Sequence, residues 1–198
     1  MTERVVEPGA ERATGTEPGA AYRVVGSPIG DLLLAATPRG LAYVGFEVED
    51  TAALPATLAA HLGASVRRDD ATEAVGLAAH PDPAAGVLDD ATGQIVEYLD
   101  GRRRAFDLPL DTALSTGFRG QVQAHLATIP YGHTATYTQL ATDLGRPGAV
   151  RAVGTACATN PLPLVWPCHR VLRSDGGLGG FRGGLEVKQR LLALEAAG

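Results

Sequence analysis

The sequence predicts an α+β fold: a small N-terminal antiparallel β-sheet with helices, then a mostly helical half carrying a helix-turn-helix. Three observations predict it. Three short strand-like runs separated by turn residues follow one another from residue 21. After "RRRAFDLPLD" the apolar residues fall at helical spacing. Within that half, "GRPG" forms a tight turn between two segments that each read as a helix.

The first 20 residues are rich in Gly, Pro, Glu and Thr and are expected to be a disordered tail. An N-terminal domain is expected over 21–108. In it "AYRVV", "DLLLAAT" and "LAYVGF" read as a meander. Leu54, Leu58 and Leu62 mark a helix, and "ASVRRDDATEAVGLAAHPDPAAG" reads as a surface connection. Val87, Ile95 and Leu99 mark a second helix that stops at Gly101. The C-terminal domain, 109–198, opens with Phe118, Val122, His125, Leu126 and Ile129 on one helical face. Thr136, with Gln139 three residues later, has the spacing of a capping box. Pro147 suits the first turn of "AVRAVGTACAT", and "LEVKQRLLALE" reads as a terminal amphipathic helix offering Leu185, Leu191, Leu192 and Leu194 to the core.

Bulk properties exclude several function classes. With 198 residues, 45% of them hydrophobic and 20% charged, the chain has the composition of a globular protein with one domain or two small ones. No run of 18 apolar residues and no signal-peptide core occurs, so no membrane association and a cytoplasmic setting are expected. Cys157 and Cys168 are the only cysteines, too few for a disulfide framework or a four-cysteine zinc site. The five histidines lack metal-ligand spacing, so no metal is expected. The net charge of −5 is uneven: residues 1–110 carry 9 Lys/Arg against 17 Asp/Glu, and residues 111–198 carry 8 against 5. The C-terminal half, at +3, is the anion-facing one.

The stretch "LVWPCHRVL" carries the chemistry. Cys168 and His169 are either a thiol with its base or two polar residues in a core strand. A thiol attacks only as thiolate, and a histidine base promotes that state. Neighbours on an extended strand face opposite ways, so His169 must reach the sulfur through a bend or a bridging water, and Pro167 favours a bend. The helix after "GRPG" is lined by Ala149, Ala152, Gly154, Ala156 and Ala158, with Arg151 its only charge. A helix of small residues allows close approach to a narrow groove, with one long cation reaching inward; it equally allows tight packing inside the protein. Glu195 is either a surface charge or the group that orients His169.

"NPLPLVWPCHRVL", preceded by "RAVG" and followed by "GGLGGFRGG", closely resembles the O6-alkylguanine-DNA alkyltransferases, with similarity running from Ser27 to Glu195. The resemblance implies a ribonuclease H-like N-terminal domain and a winged-helix-like C-terminal one. It implies a monomer that uses no cofactor and binds double-stranded DNA through the minor groove. There it flips out O6-alkylguanine, and O4-alkylthymine, and transfers the alkyl group irreversibly to Cys168. By similarity His169 acts through water, Glu195 orients it, Asn160 organises the site, and Tyr137 protonates the departing guanine near N3. Arg151 fills the place of the flipped base, and Ala152, Gly154, Thr155 and Tyr137 contact DNA. Trp166, Val171, Gly179, Phe181, Arg182 and Gly183 line the base pocket, with the Arg182 N–H near O6 and the Cys168 and Val171 carbonyls accepting from the guanine amino group.

Departures from the family pattern are visible. Phe181 stands where many relatives have Tyr, Ala158 and Thr159 where some have Arg and Gly, and His133 where Glu often follows "YG". The zinc-binding cysteines of some relatives and the cysteine-rich domain of the adaptive-response regulators are absent, so no transcriptional role is expected. Two other readings remain: a non-catalytic lesion binder, against which the intact Cys168 speaks, and a thiol hydrolase, which would turn over.

Overall fold

The computed structural model describes residues 19–47, 54–62, 65–69 and 82–197. The mixed α+β architecture is as expected. Strands β1 (Ala20–Val25), β2 (Leu32–Thr37) and β3 (Gly40–Phe46) form the antiparallel meander. All six residues of β2 are buried, because the central strand is covered on both faces. Its two-residue period divides it: Leu32, Leu34 and Ala36 join the main core, while Leu33 and Ala35 pack on Leu58 of α1 (Leu54–Leu62).

A fourth strand, β4 (Val66–Arg68), pairs parallel with β1 and gives the order β3-β2-β1-β4. This corrects the reading of that segment as a surface connection. The strand hides in the sequence because it is a charged edge, with Arg67 paired to Asp82 and Arg23 bridging to Asp69 at 2.5 Å. Residues 70–81 of the same segment lie outside the described residues, as does the expected tail through residue 18. Ala20, placed in that tail by composition, is already buried in β1.

Helix α2 (Pro83–Leu99) begins with Asp82 accepting from the Ala84 N–H at 2.9 Å and with proline in its first turn. Its buried face is Ala84, Leu88, Ala91, Ile95 and Tyr98, spaced by three and four residues; Val87 and Leu99 flank it. The chain then runs beside β3, where Leu41 donates to Pro109 O at 2.8 Å and Asp111 donates back to Leu41 O at 2.9 Å. Gly40, at φ +145, is needed there, since a Cβ would come within 2.3 Å of the Pro109 carbonyl oxygen. Both halves of the chain feed a single apolar cluster that runs from Ala21 to Leu191.

The C-terminal half holds α3 (Gly117–His125), extended by a 3-10 turn at Leu126–Thr128, then α4 (Tyr137–Asp143), α5 (Val150–Ala158) and α6 (Leu185–Ala196). The capping box is present: Gln139 N donates to Thr136 Oγ1 at 3.1 Å, and Thr136 N to Gln139 Oε1 at 2.7 Å. Pro147 opens a 3-10 turn that runs into α5. A parallel pair, β5 (Ala135–Thr136) with β6 (Val171–Leu172), was not evident from the sequence and ties the start of α4 to the segment after Cys168. On α6, Leu191 is buried, whereas Leu185 is 50% exposed and contributes nothing to the core. No helix among the described residues is long and apolar enough to cross a membrane.

Candidate active site

"LVWPCHRVL" bends where Pro167 suggests. Cys168–Arg170 is a 3-10 turn begun by Pro167, and the extended backbone resumes only at Val171. Three residues per turn rotate successive side chains by about 120° instead of the 180° of a strand, so Cys168 and His169 are released from opposite faces. Asn160 shapes the approach: its Nδ2 donates to Trp166 O at 2.7 Å, and its Oδ1 accepts from Leu162 N at 3.1 Å. The Cys168 N–H donates to the same Trp166 carbonyl at 2.8 Å. The loop so formed contains Leu164 at φ +73, the only non-glycine residue with positive φ among the described residues.

Cys168 is 5% exposed. Burial pushes its thiol pKa up, partly opposed by hydrogen bonding from Asn160 and by the charges of Lys188 and Arg182. At neutral pH it is a thiol that needs a base. His169 beside it is wholly buried, and burial pushes its pKa down despite the neighbouring carboxylate, so the ring is neutral. Its Nε2 lies 2.9 Å from Glu195 Oε1. Burial alone would raise Glu195, but hydrogen bonds from His169, Arg170 and Tyr98 outweigh it and hold the carboxyl well below its usual range. An ionised acceptor assigns the ring proton to Nε2. The other nitrogen, Nδ1, is buried without a hydrogen-bond partner among the described residues.

Glu195 is saturated with donors. Arg170 reaches it through Nε at 2.9 Å and through the terminal nitrogen at 2.8 Å, and Gly132 N donates to Oε2 at 3.1 Å. Tyr98, from α2 in the other half, donates to Oε1 at 2.6 Å. Lys188 on α6 is also fully buried; its Nζ donates to Val171 O at 2.6 Å and to Leu178 O. The Cys168 carbonyl accepts from Val171 N. Each carbonyl expected to receive a ligand amino group thus already accepts one internal hydrogen bond and has one lone pair left.

A cavity of about 630 Å3 opens between α4, α5 and the glycine-rich loop. It brings together Tyr137, Arg151, Gly154, Gly179, Phe181 and Arg182 from the sequence-predicted set. Tyr137 is the first residue of α4; burial, with the Cys157 and Cys168 sulfurs nearby, raises its pKa and keeps the hydroxyl protonated. Gly179, at φ +67, lies so close that a Cβ would come 2.8 Å from that hydroxyl. Phe181 is braced edge-on by Phe46 at 5.3 Å, and Arg182 donates to Asn160 O at 2.5 Å and to Tyr43 on β3.

Other predicted residues stand outside that wall. Val171 is buried behind it, and Gly183 packs under the Phe46 ring. Trp166 lines a separate hollow of about 280 Å3 with Phe106 and Leu164. Ala152 and Thr155 are exposed on the outer face of α5, beside Arg151, whereas Val153, Ala156 and Cys157 face inward. The buried Gln123 of α3 fixes α5 by donating to Ala156 O at 3.0 Å and Thr159 O at 3.1 Å.

Sequence reasoning missed Tyr98, Gln123, Arg170 and Lys188. Lys188 had a local signal, since residues 188, 191 and 195 share the inward face of α6, and Arg170 stood next to the reactive pair in "LVWPCHRVL".

Known proteins resemble this chain along most of its length. Residues 21–112 match the family model for the ribonuclease-like domain of 6-O-methylguanine DNA methyltransferase, and residues 117–197 match that for its DNA binding domain. The methylated-DNA–protein-cysteine methyltransferase of Methanosarcina barkeri is 34% identical over 175 residues, 88% of this chain and 96% of that protein. The inducible enzyme of the same name from Bacillus subtilis is 46% identical over 102 residues, 52% of this chain; the chain spans only 56% of that relative's length. A crystal structure of Mycobacterium tuberculosis OGT in complex with DNA aligns with a TM-score of 0.71 at 33% identity, covering 89% of this chain and 93% of that one. The chain belongs to the 6-O-methylguanine DNA methyltransferase family.

Proposed function

We propose that the protein repairs alkylated DNA by moving the alkyl group from O6 of guanine onto the Cys168 sulfur, once per molecule. O4-alkylthymine, whose alkylated oxygen presents the same electrophile, is a second substrate. The observation that carries this reading is the pairing of a buried thiol with a neutral histidine whose Nε2 is committed to Glu195 and whose Nδ1 is left unpartnered. A bridging water then passes the thiol proton to Nδ1. The carbon–sulfur bond forms as the carbon–O6 bond breaks, and the electron pair leaves with guanine. Tyr137 supplies a proton near N3 and regains one from solvent, a stabilisation that grows as charge develops on the base. His169 ends protonated beside the ionised Glu195 and then releases that proton to solvent.

An alkyl group on O6 is buried in stacked DNA, so the nucleotide must leave the stack. The small outer face of α5, with Ala152, Gly154 and Thr155, suits close approach to the minor groove. The Arg151 side chain, whose backbone carbonyl accepts from Thr155 Oγ1, has no hydrogen bond or ion pair among the described residues and is available to enter the duplex. The protein acts as a monomer, with residues 21–108 buttressing the site and residues 109–198 holding it. The test is the protein's mass after incubation with an oligonucleotide containing O6-benzylguanine. One added benzyl group, absent in Cys168→Ala, is expected. Intact binding with no added mass would overturn transfer in favour of lesion binding, and repeated turnover would favour a hydrolase.

A further inference from the structure

Tyr98 is a side chain from the N-terminal half that reaches both His169 and Glu195 beside the thiol. It sits in the last turn of α2, fully buried, with its ring tilted against Phe106 at 5.2 Å and edge-on to Tyr131 at 6.2 Å. Its hydroxyl is 2.6 Å from Glu195 Oε1 and 3.2 Å from His169 Nε2. Glu195 is the ionised acceptor, so the tyrosine proton points to it, and the Nε2 proton points to the same oxygen at 2.9 Å. Oε1 therefore divides its charge among Tyr98, His169 and both the terminal nitrogen and, at 3.1 Å, the Nε of Arg170.

We propose that Tyr98 is a positioning residue for the thiol's base: by sharing Glu195 Oε1 with His169, it sets how strongly the carboxylate supports the imidazole and so couples the N-terminal half to thiol activation. This deepens the alkyl-transfer reading and rests on it. Donors on a common oxygen compete, and the shorter bond takes the larger share of its charge. At 2.6 Å against 2.9 Å, the tyrosine is the stronger competitor. Removing its hydroxyl leaves Oε1 a better acceptor for Nε2–H, which makes the imidazole more basic and the thiolate–imidazolium pair easier to form. Burial and the neighbouring Glu195 both raise the tyrosine's pKa, so it remains a donor across the working range.

The other charged and titratable groups facing this cluster are Arg170 on the 3-10 turn, Lys188 on α6, Tyr131 before β5, Cys168 itself and, beside Cys168, Arg182 of the glycine-rich loop. None is altered by changing Tyr98 to Phe, which keeps the ring contacts with Phe106 and Tyr131.

The experiment measures the rate of Cys168 alkylation by iodoacetamide against pH, with the site read by peptide mass, in the parent and Tyr98→Phe. Transfer from an O6-benzylguanine oligonucleotide is followed in parallel. The expected result is a downward shift of the reactivity midpoint by roughly half to one pH unit in Tyr98→Phe, a three- to tenfold gain in thiolate below the midpoint. A hydroxyl that serves only packing leaves the midpoint where it was, and that result, or an upward shift, overturns the proposal. Should Tyr98→Phe fold poorly, 3,5-difluorotyrosine installed at position 98 keeps ring and hydroxyl and is a stronger donor. It is expected to move the midpoint up, and no movement overturns the proposal. Failure of the parent to take up benzyl while iodoacetamide still reports the shift would sink the alkyl-transfer reading and leave the role of Tyr98 in place.

Discussion

The cluster around Glu195 and the outer face of α5 lie in the same half of the molecule and follow opposite rules. Around Glu195, every strong donor is spent inside the protein: Tyr98, His169, Arg170 and the Gly132 N–H converge on two carboxylate oxygens. On α5, alanine, glycine and threonine face outward, and the Arg151 side chain has no internal partner among the described residues. The first arrangement fixes a proton's position on one ring nitrogen; the second spends even the Thr155 hydroxyl on Arg151 O and leaves the Arg151 guanidinium for something outside the chain. The difference teaches that the cluster beside the thiol gains its precision from internal saturation, while the face proposed to meet DNA would act through the one cation it leaves unpaired.

The sharpest way to break that contrast is Glu195→Gln. The amide removes the charge while Arg170 stays buried, and an unpaired buried guanidinium costs about 3–5 kcal/mol. The urea midpoint is expected to fall accordingly, and benzyl transfer to fall with it, since Nε2 loses the charged acceptor that fixes its tautomer and stabilises the imidazolium. A variant as stable as the parent would show that Arg170 finds another partner.

Acid probes the same cluster more gently. His169 is held neutral by burial, with its folded pKa below the ordinary value near 6.5. The unfolded chain therefore binds a proton that the folded chain refuses, so this contribution to stability is full above about pH 6.5 and is lost as pH falls toward the folded value. Glu195, Asp82 and Asp111, each held below the usual carboxylate range, lose their contributions only below about pH 4. Melting temperature is expected to fall between pH 6.5 and 5, before the carboxylates matter. A flat profile across that window would mean that His169 is charged in the fold.

The two regions also differed in how far the sequence revealed them. The outer face of α5 was partly readable because helical periodicity is local: Ala152 and Ala158 fall on it as exposed residues, though Ala156 of the same small-residue set faces inward, and Thr136 with Gln139 announced the helix before it. β2 was equally plain as an apolar strand-like run between turn residues, and the fold added that it is buried on both faces. The Glu195 cluster was only half readable. Cys168, His169 and Glu195 were found, the first two by adjacency, but Tyr98 lies 97 residues from Glu195 and 71 from His169, and nothing local marks such a contact. Tyr98 reads as one more core residue on the Leu88, Ala91, Ile95 face of α2, and only the fold shows where its hydroxyl ends. Lys188 was lost for a different reason: its spacing with Leu191 points inward, yet lysine is so rarely buried that charge outweighed periodicity.

Arg151→Ala sharpens the contrast from the other side and has the smallest effect on the fold. The side chain is exposed and makes no hydrogen bond or ion pair among the described residues, so the unfolding free energy from urea titration is expected to change by no more than about 0.5 kcal/mol. Transfer from O6-benzylguanine in duplex DNA is expected to slow by roughly thirtyfold, the loss of about 2 kcal/mol of desolvated cation–π stacking against the opened helix. Transfer from the free base, which needs no opening, stays near the parental rate. Insertion also differs from phosphate pairing, so the salt dependence of binding shifts by less than about one charge. Equal loss on duplex and free base would place Arg151 in the base pocket instead, where its side chain already borders Tyr137 and Phe181 across the cavity.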